Sequence, residues 1–141
     1  MRVFLDANIL VSVLNKEYPL FPFTARILSL SGTPGFKIYS SPVCIAIAFY
    51  FAEKKHGTEK ARQKVALLTE HISIAGNSAQ AVVKVVQNKA IRDFEDGLEY
   101  YAALENECSC ILTEDKSDFY FSEIEVLNSK EFCSKYLRDG I

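Results

Sequence analysis

Arg2-Val3-Phe4-Leu5-Asp6-Ala7-Asn8 decides how this chain is read. Residues 2–5 are a short core-type run, and Asp6 ends it. Such a run reads as a buried parallel strand, with a helix starting near Asn8. The same order returns far downstream, where Cys110-Ile111-Leu112-Thr113 runs into Glu114-Asp115-Lys116-Ser117-Asp118. Between the two, Asp93-Phe94-Glu95-Asp96 opens a helix. In an open α/β sheet, ligands bind beyond the carboxyl ends of the strands. Three acidic clusters at one such edge repel each other unless a cation sits among them. Hard oxygen ligands suit Mg²⁺ or Mn²⁺. The pattern therefore predicts a carboxylate metal site, and such a site points to phosphodiester chemistry.

Outward from these runs, strands and helices alternate, which predicts an α/β fold with a mainly parallel sheet. Asn8 to Leu14 reads as a helix, residues 15–23 as a loop with Pro19 and Pro22, and Thr24 to Leu30 as a short helix. Ser31 to Gly35 is a turn, and residues 36–40 alternate like a strand. Ser41-Pro42 fits an N-cap and first turn of a helix that reaches about Lys55 and stops at Gly57. Thr58 is expected to cap the next helix. A short strand over 71–74 follows, then helices over 78–89 and 93–107. Strands at 110–113 and 125–127 and a closing helix at 129–137 complete the pattern.

The 141 residues fit a single domain, 1–141, long enough for a core without staples. The net charge of −2 gives no overall cationic field, so a polyanion would need a local patch or a metal to offset the acids. Cys44, Cys108, Cys110 and Cys133 show no CxxC spacing. They are expected to be reduced and mostly buried, in a cytoplasmic protein. No signal peptide is expected, because the first strand starts at residue 2. The apolar run Val43–Ala52 is too short to span a membrane and ends in Glu53-Lys54-Lys55-His56.

Each acid has a plain role beside a chemical one. Asp6 caps a helix, binds metal, or does both. Asn8 is placed to donate a hydrogen bond that fixes the Asp6 carboxylate. Asp93 and Asp96, three apart, share the rim of a helix whose apolar arc is Phe94, Gly97, Leu98, Tyr101 and Leu104; Glu95 and Glu99 point away from that arc. Asp93 is also the natural N-cap, and Asp96 also complements the helix dipole. Thr113 and Asp115 put a hydroxyl and a carboxylate at the edge where Asp6 sits, and Asp118 precedes Phe119-Tyr120-Phe121. His71, among apolar neighbours, reads as structural. No glycine-rich phosphate loop or GxSxG elbow is present, and nothing supports a serine or cysteine nucleophile.

These clusters, in this order, resemble the PIN domain. The matching stretches are Val3 to Leu10, Asp93 to Leu104 and Ile111 to Phe119. The resemblance covers nearly the whole chain. It implies a three-layer α/β/α sandwich and a metal-dependent endoribonuclease, most often the VapC-like toxin of a toxin–antitoxin pair, with RNA as substrate and an antitoxin protein as partner. It makes Asp6, Asp96 and Asp115 the ligands of Mg²⁺ or Mn²⁺, with Asp118 as a further acid orienting water and Asn8, Asp93 and Thr113 around them. The carboxylates of Asp6, Asp96 and Asp115 are then expected to converge to coordinating range. Two positions depart from the family pattern. Ile47 stands where a fourth acid belongs on the helix after the second strand, and Glu114 stands where a basic residue often precedes the loop acid. An alternative is therefore a catalytically weak or inactive PIN-fold module that binds RNA or a protein partner. A haloacid-dehalogenase-like phosphatase is disfavoured, since that chemistry wants an acid where Asn8 stands. Phe21, Phe23, Phe49, Tyr50 and Phe51 are more aromatics than one small core takes in easily, so a homodimer is also expected.

Overall fold

The structure, a computed structural model, describes residues 1–137. Strands β1 (Arg2–Leu5), β2 (Lys37–Ser40), β3 (Ser73–Ile74), β4 (Cys110–Leu112) and β5 (Glu125–Leu127) form one sheet in the order β3-β2-β1-β4-β5. Every pairing is parallel, with Phe4 opposite Tyr39 on one side and Ile111 on the other. Val3, Phe4, Leu5, Ile111 and Leu112 are completely buried, as a central parallel strand covered on both faces requires.

Among the described residues, seven α-helices flank the sheet: α1 (Ala7–Leu14), α2 (Phe21–Leu28), α3 (Pro42–His56), α4 (Thr58–His71), α5 (Ala79–Gln87), α6 (Phe94–Glu105) and α7 (Ser129–Tyr136). Together they make the three-layer α/β/α sandwich. Their starts follow from capping chemistry: Asp6, Ser41, Ser78 and Asp93 each accept a backbone N–H, and Asn128 with Glu131 forms a capping box. The chain runs outward from β1 through β2 to β3, then crosses to β4 and β5 on the other side. The order reverses between β1 and β4, and their carboxyl ends meet there: the Asp6 amide donates to the Leu112 carbonyl at 2.9 Å. That reversal is where an open α/β sheet leaves a crevice.

Some boundaries differ from the sequence reading. Helix α2 begins at Phe21, inside the expected loop, because Pro22 sits in the first turn, where no N–H is needed. Phe36 lies outside β2. Gly57, at φ 87°, occupies the cap position of α4. Thr58 is already helical and donates its hydroxyl to Glu53 Oε2 at 2.8 Å. His71 is exposed rather than packed, 3.5 Å from the Ser31 hydroxyl. All four cysteines are free and buried. Of the five aromatics, Phe21, Phe23 and Phe49 are half-buried, while Tyr50 and Phe51 are exposed.

Candidate functional site

Two walls face each other across the β1/β4 reversal. The first is made by the ends of those strands. Asp6 is buried, and both of its oxygens are engaged: Oδ1 accepts from the Ala7 amide at 2.7 Å, and Oδ2 accepts from the Thr113 hydroxyl at 2.8 Å. The Thr113 oxygen in turn accepts from the Asp115 amide at 3.0 Å and from Asn8 Nδ2 at 3.2 Å. Asn8 Nδ2 also reaches Asp115 Oδ2 at 3.4 Å, and Asn8 Oδ1 accepts from the Glu114 amide at 3.2 Å. The sequence expectation for Asn8 needs correction here. Thr113 holds Asp6, and Asn8 acts one step back, tying the loop after β4 to the first turn of α1. Glu114 is similarly occupied, because its Oε2 accepts from the Ser129 amide at the start of α7, at 3.0 Å.

The second wall comes from α6 and α3. Asp93 caps α6, accepting from the Asp96 amide at 3.0 Å, and is exposed. Asp96 is half-buried. Its carboxyl is pushed up to about 7 by burial first, then by the negative charges of Asp93, Asp118, Asp6 and Glu95. Asp118 is exposed at the rim, and its carboxyl is raised by burial first, then by the negative charges of Asp115, Asp6 and Asp93.

Glu99 is the residue that sequence reasoning missed. The helical wheel turned it away from the apolar arc, yet it is only 3% exposed. Helix α6 has two buried sides. Gly97 faces α5, where an added Cβ would lie 2.6 Å from Val85 Cγ1, and the other side, with Glu99, Tyr100 and Ala103, turns inward. An arc drawn through apolar residues finds the first side and discards an acid on the second. Burial raises the Glu99 carboxyl far above the usual range, and a hydrogen bond with Asp6 and the Asp6 charge add to this. Burial also raises the Cys44 thiol, with Glu99 and Asp6 contributing, so Cys44 stays protonated beside them. The signal for Glu99 was its place one turn after Asp96.

Between the walls lies a cleft of about 450 Å³. Asp6, Glu17, Glu95, Asp96, Glu99, Glu114, Asp115 and Asp118 line it with Asn8, and among the described residues no Lys, Arg or His lines it. Val11, Leu20, Ile47 and Phe51 supply the apolar part. Of the sequence candidates, Asp6, Asn8, Asp96, Asp115 and Asp118 thus meet in one cleft, whereas Asp93 and Thr113 do not line it. The expected tight trio of Asp6, Asp96 and Asp115 does not form. Among the described residues, the one group of potential ligand atoms lying within 4.8 Å of each other is Asp6, Cys44 and Glu99. The donor set, carboxylate oxygens without a counter-charge, fits a hard divalent ion. So does Glu99 Oε1, a buried oxygen with no hydrogen-bond partner among the described residues.

Residues 2–117 match the family model of the PIN domain. Over 139 residues the chain is 27% identical to Ribonuclease VapC1 of Aquifex aeolicus (strain VF5), covering 96% of this chain and 95% of that one. Its fold is similar to VapBC-1 from nontypeable Haemophilus influenzae (TM-score 0.69, 19% identity, 92% of this chain and 99% of that one). It is also similar to VapBC2 from Rickettsia felis, solved bound to a DNA fragment from its promoter (TM-score 0.66, 19% identity, 91% and 98%). A third similar fold is Mycobacterium tuberculosis VapC20, a sarcin–ricin-loop-cleaving toxin (TM-score 0.65, 14% identity, 87% and 98%).

Proposed function

Because the chain belongs to the PIN-domain family, we propose that it is a metal-dependent endoribonuclease and the toxin of a toxin–antitoxin pair. The observation that carries this reading is a cleft at the β1/β4 reversal lined by carboxylates and, among the described residues, by no basic one. Asp6, Asp96 and Asp115 are the residues that would hold Mg²⁺ or Mn²⁺. Such an ion supplies Lewis-acid polarisation of a phosphodiester and an acidified water.

The chain's own residues do the rest. Thr113 and the Ala7 amide fix the Asp6 carboxylate in one orientation, and Asn8 fixes the loop that carries Asp115. Asp118, at the mouth, orients the attacking water by accepting its proton in a hydrogen bond. Phe51, 45% exposed on the apolar side of the cleft, offers a ring on which an RNA base stacks. The relatives named as VapBC assemblies support an antitoxin protein as partner. Exposed Tyr50, outside the cleft, supports a homodimer. Among the described residues no helix is long and apolar enough to cross a membrane. The cytoplasm is the compartment we assign, on the four cysteines that are free and buried.

A second reading rests on Ile47. It lines the cleft where the family pattern has an acid, which favours a weakly active or silent module that binds RNA or a partner. Incubating the purified protein with RNA and Mg²⁺ or Mn²⁺ separates the two. The nuclease reading expects internal cleavage that is abolished by chelation and by Asp96→Asn. RNA binding without cleavage at any metal concentration supports the silent module.

A further inference from the structure

We infer that Glu99 supplies, from α6, the fourth metal-binding carboxylate that Ile47 removes from α3. The inference deepens the nuclease reading and rests on its metal site.

The geometry is specific. A Glu99 oxygen, an Asp6 oxygen and Cys44 Sγ all lie within 4.8 Å of each other. Glu99 and Ile47 line the same cleft, so the acid gained and the acid lost face one space. Asp96 and Glu99 are one turn apart and project together. Glu99 is 3% exposed, and its Oε1 has no hydrogen-bond partner among the described residues. A buried carboxyl oxygen left unpaired costs stability. A residue kept only for packing would be replaced favourably by an apolar side chain. A cation in the cleft gives that oxygen a partner and accounts for its position.

Glu99 also explains Cys44. On α3, the residue one turn before Ile47 is Cys44, whose Sγ lies within 4.8 Å of a Glu99 oxygen. A small thiol fits there and stays protonated beside it.

The test is Mn²⁺ binding by calorimetry to the full chain, with no RNA present. Four proteins are compared: unmodified, Asp96→Asn, Glu99→Gln, and the double variant Ile47→Glu, Glu99→Gln. Loss of an outer partner of a metal typically lowers affinity about 10–100-fold, and a direct ligand should cost at least as much. Glu99→Gln is expected to lose Mn²⁺ affinity by that factor while its metal-free melting temperature holds or rises. The double variant is expected to regain most of the loss, because the acid returns to α3. If Glu99→Gln does not fold, Glu99→Met removes the same carboxyl with an apolar side chain of similar length and is expected to lose affinity likewise. Mn²⁺ affinity unchanged in the carboxyl-free variants, with Asp96→Asn impaired, overturns the role of Glu99 and leaves the metal site standing. Unchanged affinity in Asp96→Asn as well overturns the metal site, and the inference with it.

Discussion

The two walls of the cleft are built from the same residue type to opposite ends. On the β1/β4 wall every oxygen of Asp6 is accounted for, and Thr113, Asn8 and the Asp115 amide form a closed network. On the α6 wall, Asp96 and Glu99 are pushed toward their neutral forms, by burial first and then by neighbouring carboxylates including Asp6, and Glu99 keeps an unpaired oxygen. The first wall is preorganised without help. The second is stable only at the cost of holding protons, or with a cation to replace them. On the proposed metal reading, a site whose halves differ in this way is half assembled by folding and completed by binding.

The difference can be broken from the finished side. Asp6→Asn leaves the Thr113 hydroxyl facing an amide and removes the carboxylate nearest both walls. RNA cleavage is expected to fall about 100-fold or more, since even partners one step removed from a metal are worth about 10–100-fold. Thr113→Val keeps the shape but deletes the donor to Asp6 and the acceptor for the Asp115 amide. Its cost in cleavage rate or Mn²⁺ affinity is expected to be about 10–100-fold. Its metal-free stability should fall by roughly 1–3 kcal/mol, because buried polar groups lose their partner. A Thr113→Val protein with full activity would show that the network is ornamental.

The same contrast marks what could be read from sequence. The fold was legible because its signals are local: a continuous apolar run for β1, Ser41-Pro42 at the head of α3, Asp93 at the head of α6. The finished wall was legible too, since its groups sit within a few residues of a strand end. Only the assignment of donor was off, because whether Thr113 or Asn8 reaches Asp6 depends on how β1 and β4 register, and that pairing spans more than a hundred residues. The unfinished wall was not legible at Glu99. Its burial comes from α6 being packed on two sides, which a single apolar arc cannot represent. The close grouping of Asp6 with Cys44 and Glu99 was not legible either, because the three sit on separate elements and meet only in the assembled fold.

The unfinished side makes a pH prediction. Asp96 titrates near 7 in the fold against an ordinary value of 3.8. Between those values the folded state holds more protons than the unfolded chain, so stability drops as pH rises through the window. Below the ordinary value the penalty is absent, and above about 7 it is complete. Other carboxyls, such as Glu125 and Glu131, are shifted down and work in the opposite sense, so the difference between proteins is the readout. Asp96→Asn should melt at a relatively higher temperature than the unmodified protein near pH 8, with the gap closing toward pH 4, and saturating Mn²⁺ should reverse the order at pH 8. A pH-independent gap would contradict the assignment.

The smallest expected effect lies at the edge of the cleft. Phe51→Ala removes a ring that contributes about 1–3 kcal/mol if one base stacks on it. RNA binding measured by fluorescence anisotropy should weaken accordingly, while Mn²⁺ affinity stays unchanged. Loss of both would place Phe51 in the support of the acidic walls and remove it from substrate contact.

The most direct test of the account is anomalous diffraction from a crystal of this protein soaked in Mn²⁺. The account predicts one strong peak in the cleft, coordinated by Asp6 from the finished wall and by Asp96 or Glu99 from the other, with Asp115 drawn inward relative to the metal-free arrangement. An accessible cleft with no peak at saturating Mn²⁺, or a peak held by the β1/β4 wall alone, would contradict it.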